Sequence, residues 1–269
     1  MEYIDEIIGH LGLQAEWAIT IYYIITMFAC AAAMKLSNAI VAKASGKELW
    51  TFLFFSPVLS LKGWKSREPF SLSPFFRSSS KFVGFGSATA LYYLFAVDFI
   101  AQTEINPILQ AYICVFPFWC LVETTGAWTE ISLAPFGIHL PPINRAPWRS
   151  RSLSEFWGKR WNRLFGDWFY QTCFRPFRRR PNFAMVVSFA ISGLIHEFIV
   201  SVPLWAVYRR DVFGFMMAYF LIQAISVWIE RRYLKSPISR RIWLWSALII
   251  PLPLLFNEGT LRIFHFFDL

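Results

Sequence analysis

The chain has 269 residues, 56% of them hydrophobic and 19% aromatic, and only 16% are charged. A typical soluble domain is about 45–50% apolar and about 25% charged, and here the apolar residues gather in long blocks, which excludes an ordinary soluble domain. The net charge of +9 comes from 26 basic and 17 acidic residues. The basic residues lie between the apolar blocks, which suits loops facing anionic lipid rather than nucleic acid.

A bilayer core about 30 Å thick takes roughly 20 apolar residues per helical span. The first block follows Glu2, Asp5, Glu6 and Glu16. A secretory signal opens on positive charge, so this block is expected to be retained as a span. Spans are expected at about Trp17–Leu36, Phe82–Ile100, Ile108–Gly126, Phe183–Trp205, Val212–Ile229 and Ile242–Phe256. Leu49–Leu61 is short and contains Pro57, and it reads as a re-entrant or interfacial segment. The tail Leu261–Phe267 is apolar but short. The expected fold class is all-α: a polytopic transmembrane helical bundle with that re-entrant or interfacial segment and a cytoplasmic amphipathic helix. Residues 1–269 are expected to form a single membrane domain, placed in the endoplasmic reticulum or a bacterial inner membrane.

Basic residues crowd 35–47, 62–81, 145–180 and 231–241, whereas the N-terminus and the loop around Glu104 are acidic or neutral. The positive-inside rule puts the basic loops in the cytoplasm, with Arg209 and Arg210 on the wrong side. Cys30, Cys114, Cys120 and Cys173 show no CxxC or zinc spacing and read as packing residues. No metal is expected.

The loop before the Phe183 block is the most informative stretch. Ser152 and Glu155 form an S-x-x-E capping box, the mark of a helix start. Leu153, Phe156, Trp157, Trp161, Leu164, Phe165 and Trp168 then recur at helical spacing, with Lys159, Asn162, Arg163 and Asp167 mostly opposite. This predicts one amphipathic helix lying along the cytoplasmic interface. Gly158 and Gly166 stand four residues either side of Asn162, on its face. They suggest either close helix packing or room for a ligand there. Arg175, Arg178, Arg179 and Arg180 follow; they suit anionic headgroups or a funnel for a phosphorylated substrate.

The next span contains His196 and Glu197, and ionisable residues inside a span are candidates for function. In a straight helix from Phe183, His196 lies roughly 20 Å along the axis. Ser192 stands four residues before His196, and Gly193 four before Glu197. A neutral imidazole in a dry pocket accepts a proton from a bound hydroxyl, which is general-base catalysis. The structural alternative is a histidine hydrogen-bonded across helices. Glu197 points about 100° away and is expected to pair with another helix or orient a neighbour. Glu123, Glu130 and Asp98 are further polar residues in or near spans, Glu123 being expected to pair across helices. His10, His139 and His265 are given no role.

Two stretches resemble the wax-synthase-like branch of the membrane-bound O-acyltransferases. One reads Pro147, Ser152-Leu153, Phe156-Trp157-Gly158-Lys159-Arg160-Trp161-Asn162, against P-x₄-S-L-x-x-F-W-G-x-R-W-N. The other is Ser192-Gly193-Leu194-Ile195-His196-Glu197, about thirty residues on. The resemblance covers mainly about 141–200. It implies acyl transfer from acyl-CoA to a hydroxyl, His196 as catalytic base, Asn162 as its partner residue, and an internal tunnel. Glu197, Trp161 and Ser192 are then supporting residues. Lys159, Arg160 and Arg163 of the basic loop are candidates for the coenzyme's phosphates. The expected partners are acyl-CoA, a hydrophobic small-molecule alcohol such as a lipid or terpenoid, and membrane lipids, with no nucleic acid.

Two rivals remain at this level. One is an intramembrane terpenoid cyclase that uses the same pocket without coenzyme A and stabilises a carbocation by cation–π contact. The other is a non-catalytic lipid transporter or binding protein, disfavoured by the absence of visible inverted repeats.

Overall fold

The computed structural model describes residues 15–56, 58–65, 70–97, 105–138, 140 and 142–266. Asp98, Glu104, His10, His139 and Pro57 lie outside them. Among the described residues fourteen α-helices run in order: α1 Ala15–Val41, α2 Gly46–Phe55, α3 Leu61–Lys65, α4 Leu72–Leu91, α5 Pro107–Ile113, α6 Val115–Leu133, α7 Leu153–Glu155, α8 Arg163–Phe169, α9 Pro181–His196, α10 Val202–Tyr208, α11 Phe215–Tyr233, α12 Pro237–Ile249, α13 Leu252–Leu255 and α14 Glu258–Ile263. No strand occurs among the described residues.

Among the described residues four stretches are long and apolar enough to cross a bilayer: Trp17–Val41, Pro107–Phe136, Pro181–Tyr208 and Pro237–Leu255. Six were expected. The other two form helices, but α4 begins ten residues before the expected Phe82 and so takes in Ser73, Arg77, Ser78, Ser79, Ser80 and Lys81, while α11 ends in Glu230, Arg231 and Arg232. Polar residues at one end lower their hydropathy. The segment read as re-entrant or interfacial is helical only to Phe55, and the chain turns at Ser56. Ten helical residues reach about 15 Å, half of what a bilayer core needs. Lys35 Nζ donates to the Leu53 carbonyl at 2.8 Å and ties α2 back to α1.

Local chemistry sets the helix boundaries. Asn106 caps α5, its side chain accepting from Ile108 N–H, with Pro107 at the first helical position. Gly137, at φ 68, ends the helical run after Phe136. Helices α4 and α6 pack as one pair and α9 and α11 as another, with α1 against α10 and α14. Arg209 and Arg210 both have local partners. Arg210 meets Glu258 at 2.6 Å, and the Arg209 guanidinium lies 4.9 Å from the Trp205 ring.

Candidate active site

The expected amphipathic helix from Leu153 to Trp168 is not continuous. Ser152 caps α7 by accepting the Glu155 N–H at 3.0 Å, as the S-x-x-E pattern predicts. The next five residues, Phe156–Arg160, wind as a π-helical turn. Trp161 is extended, at φ −92 and ψ 136, and Asn162 turns left-handed, at φ 40. A fresh helix then starts at Arg163, capped by the Asn162 side chain, which accepts the Phe165 N–H at 3.4 Å.

Asn162 is therefore a junction residue, not a point on a helix face. Asparagine tolerates the left-handed region better than other residues with a side chain. Its own N–H donates to Asn144 Oδ1 at 2.9 Å, and Arg163 N–H donates to the Ile143 carbonyl at 2.8 Å. The shared face proposed for Gly158, Asn162 and Gly166 dissolves with the break. A Cβ at either glycine would meet nothing within 4 Å, so no backbone crosses closely there.

The three basic residues of this stretch divide. Arg160 holds Glu155 at 2.7 Å and donates to the carbonyls of Arg145 and Ala146, so it staples the turn. Lys159 is exposed and Arg163 half-buried. Trp161 stacks on Phe156 with centroids 5.7 Å apart, inside the apolar cluster of Leu153, Met185, Val227 and Leu244.

Helix α9 carries the second motif. His196 is half-buried, and its Nδ1 lies 2.7 Å from the Ser192 carbonyl oxygen one turn back. A carbonyl only accepts, so Nδ1 bears the proton, and in the neutral form of the ring the lone pair is on Nε2. The contact to Ser192 is thus made by its backbone carbonyl. The ring also sits 4.5 Å from Phe220 of α11. At Glu197 the helix widens into a π-helical turn, Glu197–Ser201, a feature frequent at functional sites.

Glu197 turns away from the imidazole, as its position one residue on requires. Its carboxylate accepts the N–H groups of Gly214 at 2.8 Å and Met217 at 3.0 Å, and the Ser201 hydroxyl at 2.5 Å. It caps α11 from a neighbouring helix, a favourable place for a negative group. Gly193 lets the two helices touch, since a Cβ there would lie 3.1 Å from Met217 Cα. Glu123 pairs across helices, with Lys81 at 3.4 Å rather than with the histidine or arginine expected for it.

Among the described residues no hydrogen bond joins Asn162 to His196. Trp157 meets Phe189 of α9 at 5.7 Å, and α11 adds a second link between the two motifs. Trp157 of the first motif donates Nε1–H to Gln223 Oε1 at 3.2 Å and touches Phe220, which touches His196. Gln223, fully buried, donates on to the Ala247 carbonyl at 2.7 Å. Glu230 accepts the N–H groups of Leu153 and Ser154 and so anchors the start of α7. Gln223 and Glu230 were missed in the sequence. Their signal was the buried stripe Met216, Phe220, Gln223, Val227 and Glu230 at helical spacing, with two polar members that demand partners.

Together these features define a multi-pass, all-α integral membrane protein with a half-buried imidazole that reaches a basic, tryptophan-rich motif through Phe220. Residues 140–222 match the membrane bound O-acyl transferase family. The chain is 30% identical over 127 residues to the long-chain-alcohol O-fatty-acyltransferase of Simmondsia chinensis, covering 43% of this chain and 36% of that protein. It is 31% identical over 142 residues to diacylglycerol O-acyltransferase 1 of Bos taurus, covering 52% and 27%. With the probable long-chain-alcohol O-fatty-acyltransferase 8 of Arabidopsis thaliana it shares 26% over 176 residues, covering 55% and 48%. The chain thus spans about a quarter to a half of the length of these relatives. Over residues 140–222 the chain is thus similar to the membrane bound O-acyl transferase family, with long-chain-alcohol O-fatty-acyltransferases among the relatives it matches.

Proposed function

We propose that this chain transfers an acyl group from a coenzyme A thioester to the hydroxyl of a hydrophobic alcohol, with His196 as general base. The observation that carries the reading is the Nδ1–H bond from His196 to the Ser192 carbonyl, inside the segment that matches the family. It fixes the tautomer, so Nε2 is the nitrogen that takes the proton of the acceptor hydroxyl. The hydroxyl oxygen attacks the thioester carbonyl carbon, and negative charge gathers on the carbonyl oxygen. The C–S bond then breaks, and the proton held by His196 passes to the departing thiolate.

Asn162 uses its carboxamide oxygen in its own helix cap, which leaves its Nδ2–H groups as the half able to steady a developing oxyanion. Lys159 and Arg163 are the side chains for the coenzyme's phosphates, while Arg160 shapes the turn that presents them. Relatives named for long-chain alcohols and for diacylglycerol support a lipid-like acceptor.

The test is acyl transfer by the purified full chain in nanodiscs, with a long-chain acyl-CoA and a long-chain alcohol, against His196→Ala. Loss of general-base catalysis lowers the rate by roughly 10²–10⁴-fold. Full activity in a folded variant ends the assignment, and product formed without any acyl-CoA turns the reading toward a cyclase.

A further inference from the structure

Gln223 stands in the middle of α11 with none of its surface exposed. A carboxamide buried inside a helical bundle has no water to bond and must find protein partners. It has one at each end. Nε2 donates to the Ala247 carbonyl of α12 at 2.7 Å, and Oε1 accepts the Trp157 indole N–H at 3.2 Å.

Neither partner tolerates the reverse. A carbonyl only accepts and an indole N–H only donates, so the carboxamide fits in one orientation. The consequence is greatest for Trp157, which lies half-buried in the π-helical turn Phe156–Arg160. The bond from Nε1 pins the rim of its indole to α11, and through Gln223 to α12.

The pinned ring is a wedge between two helices. It meets Phe189 of α9 edge-on with centroids 5.7 Å apart, and Phe220 of α11 at 6.1 Å. Phe189 stands seven residues before His196, two turns along the same face. Phe220 stands three residues before Gln223, a neighbour on one face of α11, and its ring lies 4.5 Å from the imidazole. Phe220 is buried, and in a close-packed interior a ring shifts only when the ring behind it does.

We propose that Gln223 is a positioning residue for acyl transfer, acting on His196 through Trp157 and Phe220. The inference rests on the acyltransferase reading above. The carboxamide holds the indole, the indole backs the phenyl ring, and the phenyl ring sets the wall that aims the imidazole. Gln223 itself touches neither reactant. Its effect falls on the geometry of proton removal, which is felt in the transition state rather than in substrate binding.

The experiment is a double-mutant cycle in the nanodisc assay, with melting temperature followed beside the kinetics. Gln223→Met keeps the length of the side chain and loses both hydrogen bonds. Trp157→Phe keeps an aromatic ring and loses the N–H. Each is expected to lower kcat by roughly 10–100-fold with little change in KM for acyl-CoA. The double variant should lose little more than either single one, because both cut the same link. Losses that simply add overturn the proposal. So does a normal kcat in folded Gln223→Met protein with only its melting temperature lowered, which makes the residue a brace and nothing more. If Gln223→Met fails to fold, Trp157→Phe reads the same link with the Ala247 bond in place, and its normal kcat overturns the proposal as well. Wild type without any acyl transfer ends the acyltransferase reading and this one together, whereas His196-dependent transfer with an intact Gln223→Met rate ends this one alone.

Discussion

The carboxylate of Glu197 accepts the backbone N–H of Gly214 at 2.8 Å, binding the residue beside His196 to the first residue before α11. Because Phe220 lies on that helix and meets the imidazole at 4.5 Å, one carboxylate sets both walls around the ring. Glu197 is 8% exposed and holds two N–H groups that water reaches poorly.

Truncating Glu197 should therefore be costly. Glu197→Ala leaves the Gly214 and Met217 N–H groups unpaired, at about 1–3 kcal/mol each. Glu197→Gln keeps one oxygen acceptor and should lose less. Melting of the detergent-solubilised variants checks this order. Glu197→Gln melting as low as Glu197→Ala would show that charge, rather than acceptor geometry, matters.

Gly193 of the second motif and Gly166 just after the first should respond in opposite ways. Gly193→Ala drives a Cβ to within 3.1 Å of Met217 Cα, and overpacking of this kind costs about 1–3 kcal/mol. Gly166 lies inside α8 with open space around it, so Gly166→Ala should raise stability by up to about 1 kcal/mol through helix propensity. Equal effects of the two substitutions on melting temperature would sink the packing argument at Gly193.

Asn162 combines a left-handed backbone with a cap, and two variants separate its structural and chemical roles. Asn162→Gly keeps φ 40 accessible and loses only the side chain. Asn162→Ala loses the cap and strains the backbone, so it should be the less stable by about 1 kcal/mol or more. If the carboxamide steadies an oxyanion, both fall in kcat together, by roughly 10²-fold or more. Near-normal turnover in a folded Asn162→Gly protein removes the side chain from the chemistry.

Acid should loosen the junction that carries Asn162. Glu155 sits below its ordinary value of 4.5, first because the Arg151 N–H donates to its carboxylate and then through Arg160. A carboxyl with a depressed pKa stabilises the fold fully above its ordinary value, and that contribution fades as pH falls through the depressed one. Protease cleavage around residues 151–163 should accordingly rise below about pH 4.5 in wild type. Glu155→Gln should cleave readily at neutral pH and change little on acidification. A wild-type profile flat down to the lowest pH at which the protein stays folded contradicts this.

Composition and spacing by themselves determined the all-α membrane class, because a bilayer demands long apolar runs and closed backbone hydrogen bonds. They also marked the S-x-x-E cap at Ser152 and the outward turn of Glu197, since both follow from a few consecutive residues. The break at Trp161 and Asn162 was not legible. Apolar periodicity runs through it unbroken, and only the bonds from Asn144, Ile143 and Phe165 select the left-handed turn. Nor did the linear order disclose that α11 bridges the two motifs beside the direct contact of Trp157 with Phe189. Trp157 and Gln223 are 66 residues apart, and their contact exists only once helices pack. Short-range chemistry is written in neighbouring residues, while partnership among buried polar groups is decided by which helices the fold brings together.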